Sequence, residues 1–487
     1  MKLFSRNTVL LAIALISLVM HFPHFSKDLV SIHVWRQTET QSTIVNFYEE
    51  DMNILNPTRN ERGSGDGIFR MEFPLMQWMV AATYTVFGNH LVITRIFMFV
   101  IGLFSIAGMY LLLRALSANE TMALAGAWAF NFSPSFYYYT INPLPDNLAL
   151  CCSIWGLAMF FTFIGNKKTL TLLMGGLFLS IGALCKLPFI LYFIAPMSWF
   201  VLRLYKDGVK WDYVNKLMMV SLYLLPPLAW YLSVVPQWDV RGIVNGMFKN
   251  DLPVATVLGY LRFNLISTLP ELLLNYGSLL FFLAGFYFMV KNKAISKPAF
   301  PVLALLGLTV IAYFLFELNM IGNVHDYYLF PFMPLLFILV GYGAANLLGQ
   351  QQKGIRYVAI ALLMILPVTA YIRMVVRWNV DEPGFNKDLL TYKQDLRAAV
   401  PKSDLCIVGN DDSHHIFFYY VDKKGWGFAH DDLTAANLSG MIDGGARYLY
   451  SDSRIIDGDT AVSKYFNRMI LERGSVRVFS LKKETVK

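Results

Sequence analysis

Ionisable side chains with the potential for chemistry stand beside long apolar segments in this sequence. They include four carboxylates, one cation and one imidazole: Glu39, Glu72, Asp146, Lys186, His325 and Asp326. Carboxylates and imidazoles can move protons, and a lysine can hold an anion such as a phosphate. If the fold carries them to one side of a membrane, they would form a reaction site at that interface.

The apolar segments define the fold class. Of the 487 residues, 56% are hydrophobic and only 15% are charged, whereas soluble domains have about 25% charged residues. Thr8–Phe22, Leu217–Val235 and Tyr327–Gln350 contain no Asp, Glu, Lys or Arg. Crossing about 30 Å of hydrocarbon takes roughly 20 apolar residues in a helix, and continuous apolar runs exclude a barrel. The sequence therefore predicts a mainly α, polytopic membrane protein.

Eleven transmembrane helices are predicted, with the N-terminal apolar run as an uncleaved first helix. Their approximate spans are 8–22, 91–113, 121–139, 145–164, 170–185, 188–203, 217–235, 276–291, 299–318, 327–348 and 355–376. With a cytosolic N-terminus, the short outer loops near 140–144, 186–187 and 319–326 hold Lys186 as their one Lys or Arg. The cytosolic loops hold many, as the positive-inside rule requires. The active-site candidates then fall on the outer side, which also receives the medium loop 236–275 and the C-terminal tail.

Two domains are predicted. Residues 1–380 form the transmembrane domain, whose outer loop 23–90 carries surface helices near Thr38–Tyr48 and Leu75–Phe87. Residues 381–487 form a small outer α/β domain. Its strand candidates are Leu405–Val408, Arg447–Tyr450 and Val476–Leu481. Its helical patterns lie near 386–399, 432–443 and 462–472, and Lys423-Lys424-Gly425 is predicted to form a turn.

Charge and cysteine content exclude several classes of function. The net charge of +8 fits cytosolic loops of a membrane protein, so no nucleic-acid partner is expected and membrane lipids surround the chain. The four cysteines form no disulfide framework or metal motif. Asp411-Asp412 and His414-His415 are the residue types that bind metals, but loops collect such residues by chance. No metal ligand or certain cofactor is therefore predicted, although a divalent metal is compatible with the sequence.

Each acidic candidate also has a structural interpretation. Glu39 is alternatively a solvated charge on a surface helix. Glu72 is alternatively an anion near the start of the following helix, where the helix dipole favours negative charge. Asp146 is alternatively the N-cap of an apolar helix.

The basic candidates have similar alternatives. Lys186 could reach the lipid headgroups with its long side chain. His325 could belong to an interfacial aromatic belt with Tyr327 and Tyr328. Arg36 could form a salt bridge with Glu39.

Three short motifs resemble a known group of enzymes. Trp35-Arg36-Gln37-Thr38-Glu39-Thr40, Glu72-Phe73-Pro74-Leu75 and His325-Asp326-Tyr327-Tyr328 follow in this order. They resemble polyprenyl-phosphate-sugar glycosyltransferases of the GT-C superfamily. More narrowly, the sequence is similar to the bacterial branch that includes protein O-mannosyltransferases and the aminoarabinose transferase of lipid A. The resemblance covers about residues 1–376, and the tail segment 422–426 is also similar to the outer domain of some members.

The resemblance implies a hexosyl- or pentosyltransferase of the bacterial inner membrane with a periplasmic C-terminal domain. The donor would be a polyprenyl-phosphate-linked sugar, the acceptor a hydroxyl of a cell-envelope glycan, lipid or protein, and the transfer inverting. The family places an essential carboxylate in the first loop, which implies Glu39 as the base and Glu72 as the second choice. Glu39 stands where relatives more often have Asp.

The resemblance also implies phosphate and substrate contacts. A lysine at the outer end of a helix hairpin holds the lipid phosphate in relatives, which assigns that role to Lys186, assisted by His325 or Arg36. The remaining polar residues at this side are expected to contact the substrate: Asp146, Asp326, Tyr327 and Tyr328.

Other classes of membrane protein also fit parts of this pattern. A transporter would place ionisable residues near the middle of the membrane, whereas these cluster at one interface. A lipid-linked sugar flippase or a polysaccharide polymerase handles the same donors and is the main alternative. A membrane scaffold without activity would not need the long loop with its carboxylates.

The charge pattern generates a test of topology. Eleven crossings from a cytosolic N-terminus place the chain after Glu382 outside the cytosol. A reporter that is active only in the cytosol, fused after Lys487, should therefore give no signal, whereas the same reporter fused after Arg114 should be active. A strong signal from the C-terminal fusion would overturn the helix count and the sidedness of the candidate residues.

Overall fold

The computed structural model describes residues 6–238, 245–246, 252–294, 297–322 and 325–483. The chain divides into two compact units. The first comprises residues 1–26, 71–73 and 94–376, and the second comprises residues 27–70, 74–93 and 377–487. The division into domains at residue 380 stays a prediction, because the second unit combines the tail with two segments of the first loop.

The first unit is helical throughout its described elements. Its α-helices are Arg6–His21, Leu91–Ser117, Glu120–Asn131, Pro134–Tyr139, Pro145–Asn166, Thr169–Cys185, Ile194–Asp207, Trp211–Leu222, Leu225–Val234, Val254–Phe263, Gly277–Lys291, Phe300–Phe316, Leu318–Ile321, Met333–Leu348 and Lys353–Val375. Shorter turns of 3₁₀ helix are Phe22–His24, Leu187–Phe193, Val235–Gln237 and Asp326–Phe332, and Asn264–Leu273 is a π-helix. The first three residues of Leu91–Ser117 belong to the second unit.

Each of the eleven predicted spans coincides with helix, and the predicted fold class is confirmed. Within the described part of the chain, seven helices are long and apolar enough to cross a membrane. They are Arg6–His24, Leu91–Ser117, Pro145–Asn166, Leu187–Asp207, Trp211–Gln237, Asp326–Leu348 and Lys353–Trp378, of which all but Leu91–Ser117 and Pro145–Asn166 include a 3₁₀ turn. The pair Val254–Leu273 and Gly277–Lys291, bent by 106°, forms an eighth if it is one span. The count of eleven crossings stays a prediction.

Two predicted segments differ in detail. The span 121–139 consists of two helices, and the break precedes Pro134, which has no N–H to continue the ladder. The segment 236–275 was expected to be a loop. It contains the helix Val254–Phe263 and the π-helix after it, while its residues 239–244 and 247–251 lie outside the described residues.

The second unit contains the five-stranded sheet of the predicted α/β domain. The strands are β1 (Leu405–Gly409), β2 (Lys424–Gly427), β3 (Tyr448–Ser451), β4 (Phe466–Arg473) and β5 (Val476–Leu481). Their order is β2-β1-β3-β5-β4. The strands β2, β1 and β3 are parallel, and β5 is antiparallel to both of its neighbours, β3 and β4. Its helices are Val34–Glu49, Leu75–Phe87, Lys387–Thr391, Lys393–Ala398, Ile416–Val421, Ala435–Asp443, Arg454–Gly458 and Thr460–Ser463, with the 3₁₀ turn Val376–Trp378 at the junction of the units.

Alternation along the strands gives the sheet two apolar faces. Val408 and Tyr450 pack into one buried cluster with Leu29 and Val34 of the first loop. Ile407 and Leu449 pack into another cluster on the opposite face. Successive strand residues point to opposite faces, so both faces of the sheet are covered.

Two expectations for the tail are wrong. Lys423-Lys424-Gly425 is not a turn, because residues 424–427 form β2 in parallel register with β1. The pattern at 462–472 is not a helix, because Phe466–Arg473 pairs with Val476–Leu481. The hairpin turns at Gly474, whose φ of +58° suits glycine, and the pairing outweighs the local helical pattern.

Candidate functional site

A buried cation stands at one end of a helix hairpin in the first unit. Lys186 directly follows Thr169–Cys185 and has an extended backbone, after which Leu187–Phe193 begins with Pro188 in its first turn. The Lys186 side chain is only 11% exposed. Its Nζ lies 3.5 Å from Asp146 Oδ2 and 5.5 Å from the centre of the Tyr328 ring. The carboxylate and the aromatic face compensate the buried positive charge.

Asp146 occupies the first turn of Pro145–Asn166, although Leu144 is the N-cap residue. The interpretation of Asp146 as the N-cap is therefore wrong. The carboxylate still lies at the positive end of the helix dipole, which favours its negative charge. Asp146 consequently receives stabilisation from the helix end and from Lys186 together.

Asp326 is held by hydroxyl groups of the same unit. Tyr139 donates a hydrogen bond of 2.6 Å to Asp326 Oδ1, and Ser135 donates one of 3.1 Å to Oδ2. The Tyr139 ring also meets Tyr327 edge to face, with the ring centres 5.7 Å apart. Asp326 and Tyr327 are therefore fixed by a buried polar and aromatic network.

His325 is anchored through its ring, which contacts a backbone carbonyl and two tyrosines. Its Nδ1 lies 2.7 Å from the Met320 carbonyl oxygen, which accepts a hydrogen bond from it. The His325 ring meets Tyr327 and Tyr328 at centre distances of 5.9 and 5.5 Å. The aromatic contacts expected from the sequence are present, and Tyr328 joins His325 to the surroundings of Lys186.

Glu72 lies in a short segment of the first loop that belongs to the first unit. Phe73 N donates to the Leu184 carbonyl at 3.0 Å, and Trp230 Nε1 donates to the Met71 carbonyl at 3.0 Å. The Glu72 and Asp146 carboxylates both act electrostatically on Cys185, the residue before Lys186. The structure thus brings Glu72 to the hairpin end that carries Lys186.

Glu39 and Arg36 lie in the second unit, on the helix Val34–Glu49. Both are buried, and Arg36 Nη1 donates directly to Glu39 Oε2, as an i, i+3 pair on one helix face. The other carboxylate oxygen, Oε1, lies 4.0 Å from His415 Nε2. The salt bridge expected as an alternative role for Arg36 is present, and Glu39 is not a solvated charge.

A second pairing of histidine and glutamate joins the first loop to the tail. His414 Nδ1 lies 3.0 Å from Glu61 Oε1, and Glu61 forms a parallel bridge with Gly425 of β2. The Glu61 carboxylate raises the pKa of His414 above its usual value. Burial alone would raise the pKa of Glu61, but His414 and the neighbouring charges lower it below its usual value.

The structure explains the metal-like residues of the tail without a metal. Asp411 Oδ2 accepts from Phe417 N at 2.9 Å, and Oδ1 accepts from Ser413 N at 2.9 Å, so Asp411 organises the start of Ile416–Val421. Across the described ranges, no group of three or more His, Cys, Asp and Glu residues is arranged to hold a metal ion.

Two further residues were missed from the sequence. Arg95 is fully buried and donates to Asn142 Oδ1 at 2.7 Å, in the segment before Asp146. The one sequence feature that points to Arg95 is that a charged residue stands within an apolar run. His415 approaches Glu39 although more than 370 positions separate them in the chain, and no local pattern announces such a contact.

Comparison with known proteins identifies the class of fold. A sequence model of the dolichyl-phosphate-mannose-protein mannosyltransferase family matches residues 72–230. No curated protein matches the chain in sequence. The resemblance to GT-C glycosyltransferases is confirmed by this family match together with the matches in structure.

Three solved structures carry the comparison of folds. ArnT from Cupriavidus metallidurans in the apo state matches with a TM-score of 0.66 at 12% identity, over 96% of this chain and 97% of ArnT. ArnT bound to undecaprenyl phosphate matches with a TM-score of 0.65 at 12% identity, over 98% and 97%. The oligosaccharyltransferase of Archaeoglobus fulgidus matches with a TM-score of 0.62 at 11% identity, over 96% and 73%. This chain therefore shares its fold with ArnT and with the oligosaccharyltransferase of Archaeoglobus fulgidus.

The pairing of His414 with Glu61 predicts a pH-dependent stability. The pKa of His414 is raised in the folded protein, so the protonated ring contributes to the stability of the fold. This contribution is complete below about pH 6.5 and is lost as the pH rises through the pKa of the folded state. The pKa of Glu61 is lowered in the folded protein, so the stabilisation by its carboxylate is complete above about pH 4.5. This stabilisation is lost as the pH falls through the pKa of the folded state. The melting temperature of His414→Gln should fall below wild type by about 2 °C at pH 5.5 and by much less at pH 8.5.

The exposed pair His430–Asp412 supplies the control. Its atoms are 3.4 Å apart and both side chains are more than 70% exposed, so His430→Gln should have almost no effect at either pH. A difference between wild type and His414→Gln that is the same at both values of pH would contradict the ionic role of His414.

Proposed function

We propose that the protein is a membrane glycosyltransferase that moves a sugar from a polyprenyl-phosphate donor to an acceptor hydroxyl. The transfer takes place on the periplasmic face of a bacterial inner membrane, and the C-terminal domain lies in the periplasm. The acceptor is a cell-envelope glycan, lipid or protein. The reaction inverts the configuration at the transferred carbon.

One observation carries this proposal. A lysine with an exposed fraction of only 11% stands at the end of a helix hairpin, held by Asp146 and the Tyr328 ring. The chain that carries this lysine shares its fold with ArnT, whose structure has been solved with undecaprenyl phosphate bound. A buried cation at a helix end suits an anionic group whose lipid chain remains in the bilayer.

Lys186 would act on the leaving group. In the transfer, the bond between the sugar carbon and the donor phosphate oxygen breaks, and the electron pair stays with the phosphate. An ammonium group beside the phosphate stabilises the charge that develops there. The Asp146–Nζ distance of 3.5 Å exceeds the 2.7–2.9 Å of a strong charge-assisted hydrogen bond, so a phosphate can compete with this carboxylate for the ammonium group.

A carboxylate of the first loop would act on the acceptor. As the acceptor oxygen forms its bond to the sugar carbon, the carboxylate removes the hydroxyl proton. We assign this role to Glu39, whose Oε2 is fixed by Arg36 and whose Oε1 approaches His415. Glu72 is the second choice, and Asp326, Tyr327, Tyr328 and His325 are proposed to position the substrates.

A lipid-linked sugar flippase or a polymerase would use the same donor. An assay with the purified protein in liposomes distinguishes these functions. The liposomes are supplied with radiolabelled polyprenyl-phosphate sugars and a lipid or glycan extract. Label that moves into a product lacking the polyprenyl chain supports the transferase. Label that only changes leaflet while staying on the lipid supports the flippase.

Substitution of Lys186 tests its role at the phosphate. Lys186→Ala should weaken donor binding and slow transfer by about 10–100-fold, as expected for a lost hydrogen bond to a charged group. Lys186→Arg should be milder, because it keeps the charge but changes the geometry. The measurements are donor affinity and initial rate at matched protein levels.

Lys216→Ala, which breaks the ion pair with Asp212 at 2.6 Å, is the control and should leave both the donor affinity and the initial rate unchanged. Equal activity of Lys186→Ala and wild type would exclude the phosphate role.

Substitution of Glu39 tests the base. Glu39→Gln keeps the size of the side chain and removes its basicity, so the turnover rate should fall about 10²–10⁴-fold while donor binding persists. Glu39→Asp should retain more activity than Glu39→Gln. Glu50→Gln is the control in the same loop, since Glu50 pairs with Arg62 at 3.1 Å and has no proposed role in the reaction.

The same substitution at Glu72 distinguishes the two carboxylates. If Glu72→Gln abolishes transfer and Glu39→Gln does not, the base is Glu72. If neither variant loses activity, the first loop does not supply the base and the proposed mechanism is wrong.

A further inference from the structure

The second unit contains a polar cavity that the proposed transfer does not use. Its volume is about 240 Å³, room for about eight water molecules at roughly 30 Å³ each. Its walls come from the helix Val34–Glu49, the segment 89–91 and the tail, all within the same unit. A molecule the size of one hexose fits this volume.

The cavity wall contains a buried amide without a complete set of hydrogen bonds. Gln41 is 2% exposed, and its Nε2 donates to the Tyr84 hydroxyl at 2.8 Å. Its Oε1 has no hydrogen-bond partner among the described residues. A hydroxyl group can donate or accept, so reversing the amide would leave the nitrogen unsatisfied instead. Leaving such an atom buried costs about 1–3 kcal/mol, and a ligand hydroxyl would satisfy it in either orientation.

Other lining groups are amides, a hydroxyl and an aromatic ring. Asn46 donates to Asn60 Oδ1 at 3.0 Å, so the two amides have fixed orientations. Ser42 and Tyr419 complete the polar and aromatic surface. Planar amides with several donors and acceptors match the hydroxyl groups of a sugar, and an aromatic ring provides a flat apolar contact for its C–H groups.

Charge decides between a neutral and an anionic ligand. Three cations line the cavity, but Lys393 pairs with Asp28 at 2.5 Å, and Lys402 pairs with both Glu49 and Asp422 at 2.8 Å. Of these carboxylates, Asp422 lines the cavity, whereas Asp28 and Glu49 pair with the lysines from outside the lining. Counted with these partners, three carboxylates match the three cations Lys393, Lys402 and Arg397. This balance of charge favours a neutral ligand over an anionic one.

We propose that this cavity is a binding site for one neutral sugar residue, separate from the site for the lipid phosphate. The proposal does not depend on the transferase activity, because it concerns binding alone. A saccharide bound here would be held by the second unit through hydroxyl contacts with Gln41, Asn46 and Asn60.

Binding of defined sugars to the full-length protein in detergent tests the proposal. The probes are methyl glucoside, methyl galactoside and methyl mannoside, followed by saturation-transfer NMR, with methyl glucuronide as the anionic counterpart. At least one neutral glycoside should bind with a dissociation constant on the order of 1 mM. Failure of all three neutral glycosides to bind, or tighter binding of the glucuronide, would overturn the proposal.

Paired variants place the signal in the cavity. Gln41→Leu should weaken binding about 10-fold, as expected for one hydrogen bond from a buried group. Gln77→Leu is the matched control, because Gln77 is another buried glutamine of this unit whose Oε1 has no hydrogen-bond partner among the described residues, but it does not line the cavity. Asn89→Trp changes an exposed lining residue and should block binding without disturbing the core. Unchanged binding in both Gln41→Leu and Asn89→Trp would refute the site.

A competition experiment separates this cavity from the donor site. Undecaprenyl phosphate added at saturation should leave glycoside binding unchanged. Displacement of the glycoside by the lipid would show that the sugar occupies the donor site, and the separate cavity would then be excluded.

Discussion

Hydrocarbon does not solvate charge, and this constraint fixes where ionisable groups of the first unit can lie. An unpaired ion in such surroundings costs several kcal/mol. Lys186 is accordingly held beside Asp146 and Tyr328, and Arg95 beside Asn142. Each cation stands near the end of a helix, where partners from a neighbouring segment can reach it. In the proposed reaction, the charged groups that would act on a lipid-linked donor are therefore confined to helix ends.

Pairing also determines what these charges can do. A lysine saturated by a short ion pair would have little to offer a phosphate. At 3.5 Å, Asp146 compensates Lys186 without forming the shortest type of hydrogen bond. In the second unit Arg36 contacts Glu39 directly, which fixes the carboxylate within a rigid helix face. A carboxylate held by an arginine of its own helix suits a group that must keep its position during a reaction.

Local patterns in the sequence predict most of the helices and three of the five strands. An apolar run is enough to predict a membrane-spanning helix, because a helix satisfies its own backbone hydrogen bonds. The strand β2 could not be found this way, since Lys424–Gly427 is stabilised by parallel pairing with a strand about 20 residues earlier. Phe466–Arg473 has a helical pattern, but pairing with Val476–Leu481 decides its structure. For the proposed site, the charge of the short outer loops indicated Lys186 and the motif 35–40 indicated Glu39, whereas Arg95 and His415 depend on distant contacts.

In the second unit, the first loop packs against the tail. The two helices of the loop, Val34–Glu49 and Leu75–Phe87, pack on each other with buried apolar side chains. The tail adds backbone partners: Ser31 N donates to the Pro383 carbonyl, and Tyr420 Oη donates to the Leu29 carbonyl, both at 2.5 Å. Leu29 and Val34 pack in the same cluster as the strands β1 and β3. Without the tail, these apolar and polar groups would be exposed or unsatisfied, at about 1–3 kcal/mol for each buried polar group. The helix that carries Glu39 is thus held both by the second helix of the loop and by residues after 376, so the small α/β domain contributes to the structure of the loop.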